Sequence, residues 1–209
     1  RALSPEEVRT LYAFNPNPIA YWNFEEGVGT TSYDKSGNNY NIGLINGASW
    51  TQGKYGKGIK LVQANSQYLD AGNILSPGAN DFSISMWFNS SGCTSGDCIL
   101  LNKENLYEMK AVSGSSVLFA WQPNWSWYGS NFTFSNNQWN YLTVVYDHVN
   151  QYLYKNGVLV YSRAQTGNMG SNTARLLIGA RGDTNPYYFF NGLIDEVKIY
   201  NYAISPKQI

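Results

Sequence analysis

Charge is scarce in this sequence, and the charges that are present balance. The 209 residues include 14 Lys and Arg against 14 Asp and Glu, and charged residues make up only 13% of the chain. A nucleic-acid-binding domain needs a cationic face to hold phosphates, so nucleic acid is not an expected partner. The sequence also lacks any apolar run near the roughly 20 residues that cross a bilayer, so no transmembrane segment is expected.

Histidine and cysteine are nearly absent, which limits the metal chemistry that the chain can support. The only histidine is His148, and the only cysteines, Cys93 and Cys98, share the short loop GCTSGDC. Two sulfurs alone cannot complete a tetrahedral zinc site. We predict a local disulfide between Cys93 and Cys98, with free thiols as the alternative, and a disulfide implies an oxidising compartment.

Helical periodicity is missing between the chain ends, and alternation with a period of two takes its place. From Ile19 onward, short runs of aromatic, aliphatic and β-branched residues are separated by Gly, Asn and Ser, which predicts about eight strands or more. Asn156-Gly157 lies between two such runs and predicts a type I′ hairpin. Without helices for crossovers, the strands must pair antiparallel, and the irregular loop lengths favour a sandwich over a barrel. The predicted fold class is all-β, an antiparallel two-sheet jelly-roll sandwich.

The two chain ends carry nearly the same motif. The chain opens with RALSPEEV and closes with AISPKQI. Ser4 and Ser205 each precede a proline and stand three residues before Glu7 and Gln208, which is the pattern of a helical capping box. We predict a short capped helix at each end, the first over residues 5 to 13.

Five longer stretches resemble a known family. They are AYWNFEEGVGTTSYDKSGNNYNIGLINGASWTQGKYGKGIKL from Ala20, WNYLTVVYD from Trp139, YLYKNGVLV from Tyr152, LLIGAR from Leu176 and FNGLIDEVKIYNYAISPKQI from Phe190. In order and spacing they resemble the laminin-G-like, concanavalin-A-like jelly-roll domains of bacterial and archaeal surface proteins and glycan-degrading enzymes. The resemblance implies a two-sheet jelly roll, a structural Ca²⁺ near the meeting of the first and last strands, and a role in glycan binding or adhesion.

The resemblance also bears on the repeated end motif. Domains of this family typically finish on a segment like YNRALSPEEI, so residues 1–14 are expected to be the C-terminal helix of a preceding repeat. Residues 15–18, NPNP, are then a linker, and residues 19–209 are the jelly-roll domain. This organisation predicts a tandem array in which neighbouring copies of the domain are partners and any secretion signal lies upstream.

The calcium site that the resemblance implies draws on two separated stretches. In the related domains the loop FEEGVGTTSYDKSGNN and the aspartate of GLIDEV share one ion. Carboxylate and carbonyl oxygens are the ligands that calcium takes. The expected ligands are the side chains of Asp34 and Asp195, with Glu25, Gly37 and Asn38 contributing partly through backbone oxygens. The alternative is that Asp34 makes only an Asx-turn and that Asp195 pairs with Lys198 or lies in solvent.

Two aromatic clusters are the candidate carbohydrate-binding residues. They are Trp121, Trp125, Trp127 and Tyr128 in one stretch, and Tyr187 and Tyr188 in another. Aromatic rings stack on the apolar faces of sugars, and nearby amide and carboxylate groups orient the hydroxyls. On a strand, Trp125 and Trp127 share one face and Tyr128 takes the other. Packing in the sandwich core is the alternative role for any of these rings.

Carboxylates spaced for glycan hydrolysis are not evident in the sequence. Asp195 and Glu196 are adjacent on a predicted strand and point to opposite faces, so they cannot form the pair that glycosidases use. Glu104 and Glu108 are four apart, but the Asn-Leu between them suggests that Glu104 lies in a turn. We therefore expect no enzyme activity from this segment.

Together these features predict an extracellular or cell-surface, calcium-stabilised module that binds a glycan or serves adhesion. One alternative is a structural or protein-interaction repeat in a surface stalk or filament, with no sugar ligand. A second is an accessory domain of a glycan-degrading enzyme. The choice depends on whether aromatic rings are presented on one face of the sandwich.

Overall fold

Sixteen strands make up nearly all of the regular structure in the part of the chain that is described. A computed structural model describes residues 1–5, 7, 17–94, 96–112 and 116–209. In chain order the strands are β1 (Ala20–Trp22), β2 (Thr31–Ser32), β3 (Ile42–Ile45), β4 (Ser49–Gln52), β5 (Lys57–Leu61), β6 (Tyr68–Asp70), β7 (Phe82–Ser90), β8 (Asp97–Lys103), β9 (Tyr107–Val112), β10 (Ser116–Trp121), β11 (Tyr128–Thr133), β12 (Trp139–Tyr146), β13 (Asn150–Lys155), β14 (Val158–Ala164), β15 (Leu176–Ile178) and β16 (Gly192–Tyr200). A short 3₁₀ helix, Gln63–Asn65, precedes β6.

The strands form two antiparallel sheets. The first sheet has the order β14-β13-β12-β7-β16-β5-β4, with β1 also paired to β16. The second sheet has the order β11-β10-β9-β8-β15-β6-β3-β2. Sequence neighbours such as β12 and β13 pair through hairpins, whereas β7 pairs with β12 and β16 across long stretches of chain. The predicted two-sheet jelly-roll sandwich is confirmed.

Alternation along the strands places the core between the two sheets. On β7, Phe82, Ile84, Met86 and Phe88 are buried in the main core, and the residues between them face away from the second sheet. The partner sheet contributes apolar side chains such as Phe119 of β10 to the same cluster. Burying one large apolar side chain stabilises the fold by about 1.5–3 kcal/mol, so this shared layer is what holds the sheets face to face.

The predicted hairpin at Asn156-Gly157 joins β13 to β14. Asn156 has φ 50° and Gly157 has φ 83°, which is the pair of positive values that a type I′ turn requires. The Asn156 side chain also accepts a hydrogen bond from the Tyr141 N–H at 2.8 Å. This turn is therefore fastened to β12, its neighbour in the first sheet.

The predicted disulfide between Cys93 and Cys98 is confirmed. Their Cα atoms are 5.7 Å apart, and the bond closes the loop between β7 and β8. Cys98 is fully buried in the main core, so the bond ties that loop to the sandwich.

The N-terminal motif makes both of the predicted cap hydrogen bonds, and the C-terminal motif makes one of them. The Ser4 N–H donates to Glu7 Oε2 at 2.8 Å and the Glu7 N–H donates to Ser4 Oγ at 3.1 Å, while the Ser205 N–H donates to Gln208 Oε1 at 2.7 Å. Pro5 and Glu7 are helical, and the rest of the helix predicted over residues 5 to 13 lies outside the described residues. At the other end a hydrogen-bonded turn stands in place of the predicted helix, because the Gln208 N–H bonds the Ser205 carbonyl three residues back.

The C-terminal segment after β16 lies across the outer face of the first sheet. The Ser83 hydroxyl donates to the Tyr202 carbonyl at 2.8 Å and accepts from the Ile204 N–H at 3.1 Å. Ile204 is buried against Val145 and Tyr154, which form a small satellite cluster with it. The C-terminal segment thereby covers the part of this outer face around Ser83, Val145 and Tyr154.

Candidate functional site

Polar side chains on the outer face of the second sheet form a compact centre. Glu108 on β9 stands directly opposite Asn102 on β8, and the Asn102 amide donates to Glu108 Oε2 at 2.7 Å. The neighbours of Glu108 on β9, Tyr107 and Met109, point into the core. The pleat therefore directs Glu108 and Lys110 outward, away from the first sheet.

Arg181 joins this centre from the loop that follows β15. Its Nε lies 3.2 Å from Glu108 Oε2, and its guanidinium also reaches both carboxylate oxygens of Glu104, at 3.1 and 3.3 Å. Glu104 is in the turn between β8 and β9, as the intervening Asn-Leu predicted. One guanidinium therefore holds two carboxylates, and we call Asn102, Glu104, Glu108 and Arg181 the polar centre.

Glu108 keeps one unused acceptor in the polar centre. Its side chain is 0% exposed, yet Oε1 has no hydrogen-bond partner within the described structure, whereas Oε2 meets both Asn102 and Arg181. Burial raises the pKa of Glu108 to about 7, although the nearby positive charge of Arg181 acts to lower it. A buried polar atom without a partner is costly, and because Oε1 is closed off from solvent a ligand does not reach it in this conformation.

The first predicted aromatic cluster borders the polar centre on the β9 side. Lys110 lies two residues beyond Glu108 on the same face, and its Nζ sits 3.9 Å from the centroid of the Trp127 ring. Trp125 packs edge-on against Trp127 with 6.0 Å between ring centroids. Both tryptophans are partly exposed, so they form an aromatic border over the outer face of the second sheet.

The second predicted cluster borders the opposite side. Tyr187 pairs through its backbone with Arg181, and the Tyr188 carbonyl accepts a hydrogen bond from the Ile99 N–H on β8. The two rings lie 4.8 Å apart and are 42% and 41% exposed. The fold thus brings Trp125, Trp127, Tyr187 and Tyr188 to one face, around carboxylate, amide and guanidinium groups.

Two rings of the predicted set lie elsewhere. Trp121 points into the core, is only 2% exposed and packs against Phe119 and Tyr146, so it offers no face to a sugar. Its assignment as a ligand-stacking residue is corrected, because it shares the inward side of β10 with Phe119. Tyr128 takes the face opposite to Trp127, as predicted, and stacks on Tyr161 at the edge of the sandwich.

The residues predicted to bind calcium fall into two hydrogen-bonded groups. In the first, Asp34 Oδ1 accepts from the N–H groups of Tyr21 and Ser36, both at 2.9 Å, and Oδ2 accepts from the Ser36 hydroxyl at 2.7 Å. Burial alone would raise the pKa of Asp34, but these bonds hold it below its usual value. Gly37 and Asn38 complete this loop, and the Asn38 amide donates to the Ile19 carbonyl. Asp34 makes the Asx-turn that was the alternative to metal binding.

Glu25 and Asp195 form the second group, around the turn between β4 and β5. Asp195 Oδ2 accepts from the N–H groups of Lys54 and Tyr55 at 2.9 and 3.0 Å, and both Glu25 oxygens accept from the Lys57 N–H. Burial raises the pKa of Asp195 to about 6. Asp195 neither pairs with Lys198 nor lies in solvent, since Lys198 bonds Glu196 instead.

Calcium binding at these residues stays a prediction, and the hydrogen bonds of the predicted ligands show which contacts an ion would have to replace. The predicted donors are oxygens, which suits the ion, but the carboxylates of Asp34 and Asp195 are engaged by N–H and O–H donors that an ion would displace. Among the described residues no group of three or more His, Cys, Asp or Glu side chains is placed to hold a metal.

A melting experiment tests this prediction. If calcium binds, an ion at a hundredfold excess over its Kd adds about 2.7 kcal/mol to the free energy of unfolding. In a domain of this size that corresponds to a rise in Tm of about 5–10 °C. Tm would be measured in calcium, in magnesium and in chelator; equal values in all three contradict the prediction and leave the hydrogen bonds as the fastening of both loops.

Asn102 and Arg181 are the members of the polar centre that the sequence did not indicate. Asn102 is one of many asparagines in strand-like runs, and Arg181 ends the stretch LLIGAR without any distinctive neighbour. Nothing local distinguishes either residue, because each meets Glu108 from another strand or loop. The spacing of Glu104 and Glu108 is visible in the sequence, but only the fold supplies the cation between them.

Comparisons with known proteins agree with this architecture. The model of a family described as the concanavalin A-like lectin/glucanases superfamily matches residues 63–209. No curated protein matches the chain in sequence.

Three solved structures show the same fold. Domain 4 of AbnA, a GH43 extracellular arabinanase from Geobacillus stearothermophilus, in complex with arabinotriose, has a TM-score of 0.70 at 21% identity, over 92% of this chain and 96% of that one. The binding domain of Paraclostridial Mosquitocidal Protein 1 has a TM-score of 0.74 at 18% identity, over 92% of this chain and 50% of that one. The binding domain of botulinum neurotoxin serotype G has a TM-score of 0.70 at 14% identity, over 92% of this chain and 49% of that one. This chain spans about half the length of the two toxin domains.

Proposed function

Because the chain belongs to the concanavalin A-like lectin/glucanases superfamily, we propose that it is a carbohydrate-binding module whose ligand lies on the outer face of the second sheet. The observation that carries the proposal is the pair of partly exposed aromatic borders on either side of Arg181 and Glu104, which are themselves partly exposed. A sugar has flat apolar faces for the rings and hydroxyls for the guanidinium and the carboxylate. The structural relative in complex with arabinotriose supports the proposal, since it has the same fold.

The roles within this site follow from the contacts. Trp125 and Trp127 on one side and Tyr187 on the other offer ring surface to the sugar. Arg181 and Glu104, which are partly exposed, bond the sugar hydroxyls, and Glu108 is a positioning residue that holds the Arg181 guanidinium through Oε2. We propose binding without hydrolysis, because Glu104 and Glu108 are both tied to the same guanidinium.

The cellular setting is part of the same proposal. We propose an extracellular or cell-surface module in a tandem array, in which several weak sites gain avidity. The Cys93–Cys98 disulfide favours an oxidising compartment. No helix within the described residues combines the length and the apolar character needed to cross a membrane.

Titration of oligosaccharides by calorimetry, beginning with arabinotriose and guided by a glycan array, tests the sugar site. We expect Trp127→Ala and Glu104→Gln each to weaken binding about tenfold, because the first removes a stacking contact and the second a hydrogen-bonding contact, each worth roughly 1–2 kcal/mol. Tyr33→Ala is the matched control, since Tyr33 is 54% exposed and follows β2, the edge strand of the second sheet far from β8 and β9.

Unchanged affinity in both site variants would contradict the assignment of the face. If no glycan on the array binds and light scattering shows self-association, the result would instead support the alternative of a structural repeat. Release of shorter sugars from a bound oligosaccharide would overturn the proposal that this segment does not hydrolyse its ligand.

A further inference from the structure

A second pocket lies on the opposite side of the molecule, on the outer face of the first sheet. It has a volume of about 370 Å³ and is lined by Tyr55, Trp87, Tyr141, Asn156, Gly157, Glu196, Lys198 and Ile209. This volume is within the range of small-molecule sites. Trp87 and Glu196 face away from the core that separates this pocket from the polar centre, so the pocket is independent of the proposed sugar site.

Aromatic rings form the walls of this pocket. Trp87 on β7 and Tyr141 on β12 are direct cross-strand partners with ring centroids 5.1 Å apart. Tyr55, from the turn between β4 and β5, meets Trp87 edge-on at 6.0 Å and is 55% exposed. The Tyr55 ring is therefore the one with room for the flat face of a pyranose.

A β-bulge in β16 shapes the bottom of the pocket. The pairing of β16 with β7 shifts between Asp195 and Lys198, and Glu196 has φ 52°, a left-handed conformation that is rare for glutamate. Bulges of this kind redirect side chains, and here Glu196 accepts from the Tyr21 hydroxyl and from Lys198 Nζ at 2.8 and 2.9 Å. The carboxylate of Glu196 is therefore neutralised within the protein.

Lys54 is the charged residue near this pocket that forms no ion pair with a carboxylate of the described residues. Its Nζ lies over Trp87, 4.5 Å from the ring centroid, and 5.9 Å from the centroid of Tyr55. The nearby Asp195 is engaged by three backbone N–H groups, and Glu196 by Lys198. In the part of the chain that is described, no carboxylate pairs with Lys54 Nζ. Lys54 does not itself line the pocket, but its ammonium stands over the Trp87 wall with no carboxylate of the described residues paired to it.

We propose that this pocket binds an acidic saccharide of the uronic acid class. The carboxylate of the sugar pairs with Lys54, the pyranose ring packs on the exposed ring of Tyr55, and the hydroxyls meet Asn156. The Asn156 Oδ1 already accepts from the Tyr141 N–H, which leaves the amide Nδ2 as the donor. A neutral sugar would gain the ring contacts alone, so the pocket discriminates by charge.

Binding of tetragalacturonate and of neutral galactotetraose, measured by calorimetry, tests this inference. We expect the wild-type chain to bind tetragalacturonate, with an affinity that falls as salt is raised, because added salt screens exposed ion pairs. Lys54→Met keeps the apolar stem over Trp87 and is expected to weaken tetragalacturonate binding about tenfold or more, whereas Lys54→Arg retains it. The fold should tolerate both variants, since only the backbone N–H of Lys54 meets Asp195.

Comparing one variant on each face of the molecule makes the outcome decisive. Trp127→Ala should leave tetragalacturonate affinity unchanged, and Lys54→Met should leave neutral sugar binding unchanged. Absence of tetragalacturonate binding, equal affinity in wild type and Lys54→Met, or loss only in Trp127→Ala would each overturn the inference. If tetragalacturonate binds through Lys54 while neutral sugars do not bind at all, the proposed sugar site fails and this pocket stands.

Discussion

Replacing Arg181 by alanine is expected to lower the free energy of unfolding by about 3 kcal/mol at pH 8 and by clearly less at pH 5. Arg181 is the cation that meets both Glu108 and Glu104, and the Glu108 side chain is 0% exposed. Removing one partner of a buried ion pair strands the other charge, which costs about 3–5 kcal/mol when the site is fully dry. Arg181 is itself 23% exposed, so we expect the lower end of that range.

The dependence on pH follows from the raised pKa of Glu108. Its usual value is 4.5 and burial raises it to about 7, so the protonated form is favoured by the fold. The stability linked to this group is fully present below about 4.5 and is lost as the pH rises through 7. At pH 5 Glu108 is largely protonated and needs Arg181 less, whereas at pH 8 its charge is left unpaired in the variant.

Urea unfolding followed by tryptophan fluorescence at both pH values measures this difference. The double variant Arg181→Ala with Glu108→Gln is the matched control, because it removes the stranded carboxylate and should regain part of the loss at pH 8. An equal cost at both pH values, with no recovery in the double variant, would show that Arg181 acts only by packing against Tyr187.

Replacing Asp195 by alanine is expected to cost about 3 kcal/mol or more. Its carboxylate accepts from the N–H groups of Lys54, Tyr55 and Glu196, at distances between 2.8 and 3.0 Å. Leaving a buried donor unsatisfied costs about 1–3 kcal/mol, and three donors lose their acceptor together. Tight packing adds to the loss, since a Cβ at Gly53 would come within 2.7 Å of Asp195 Oδ2.

The measurement separates a hydrogen-bonding role for Asp195 from a role in calcium binding. Unfolding of wild type, Asp195→Ala and Asp195→Asn is compared in chelator and in calcium. We expect the cost of Asp195→Ala to persist in chelator, and Asp195→Asn to lie between, because the amide keeps one acceptor oxygen. A cost that appears only in calcium would show that the residue acts through the ion, and a cost below about 1 kcal/mol would contradict the role of three bonds.

These two residues also show how unevenly the site could be predicted. Asp195 stood out in the sequence by resemblance and was expected to face a metal, whereas its oxygens fasten the turn that carries Lys54 and Tyr55. The role of Arg181 could not be predicted from local spacing, because its partner Glu104 is 77 positions away. Reasoning from sequence identified residue types suited to a site but not which of their atoms other groups already occupy.

Local patterns by themselves determined many of the longer strands, the Asn156-Gly157 hairpin, the Cys93–Cys98 link and the division of Trp127 and Tyr128 between two faces. Each of these depends on neighbours a few residues apart, and backbone geometry translates such spacing directly into structure. Only the tertiary structure decided that Trp121 is buried, that two aromatic clusters border one polar centre, and that Trp87 and Tyr141 form a second pocket. Those outcomes depend on the register of strands far apart in the chain, and register sets which side chains meet, are covered or remain open to a ligand.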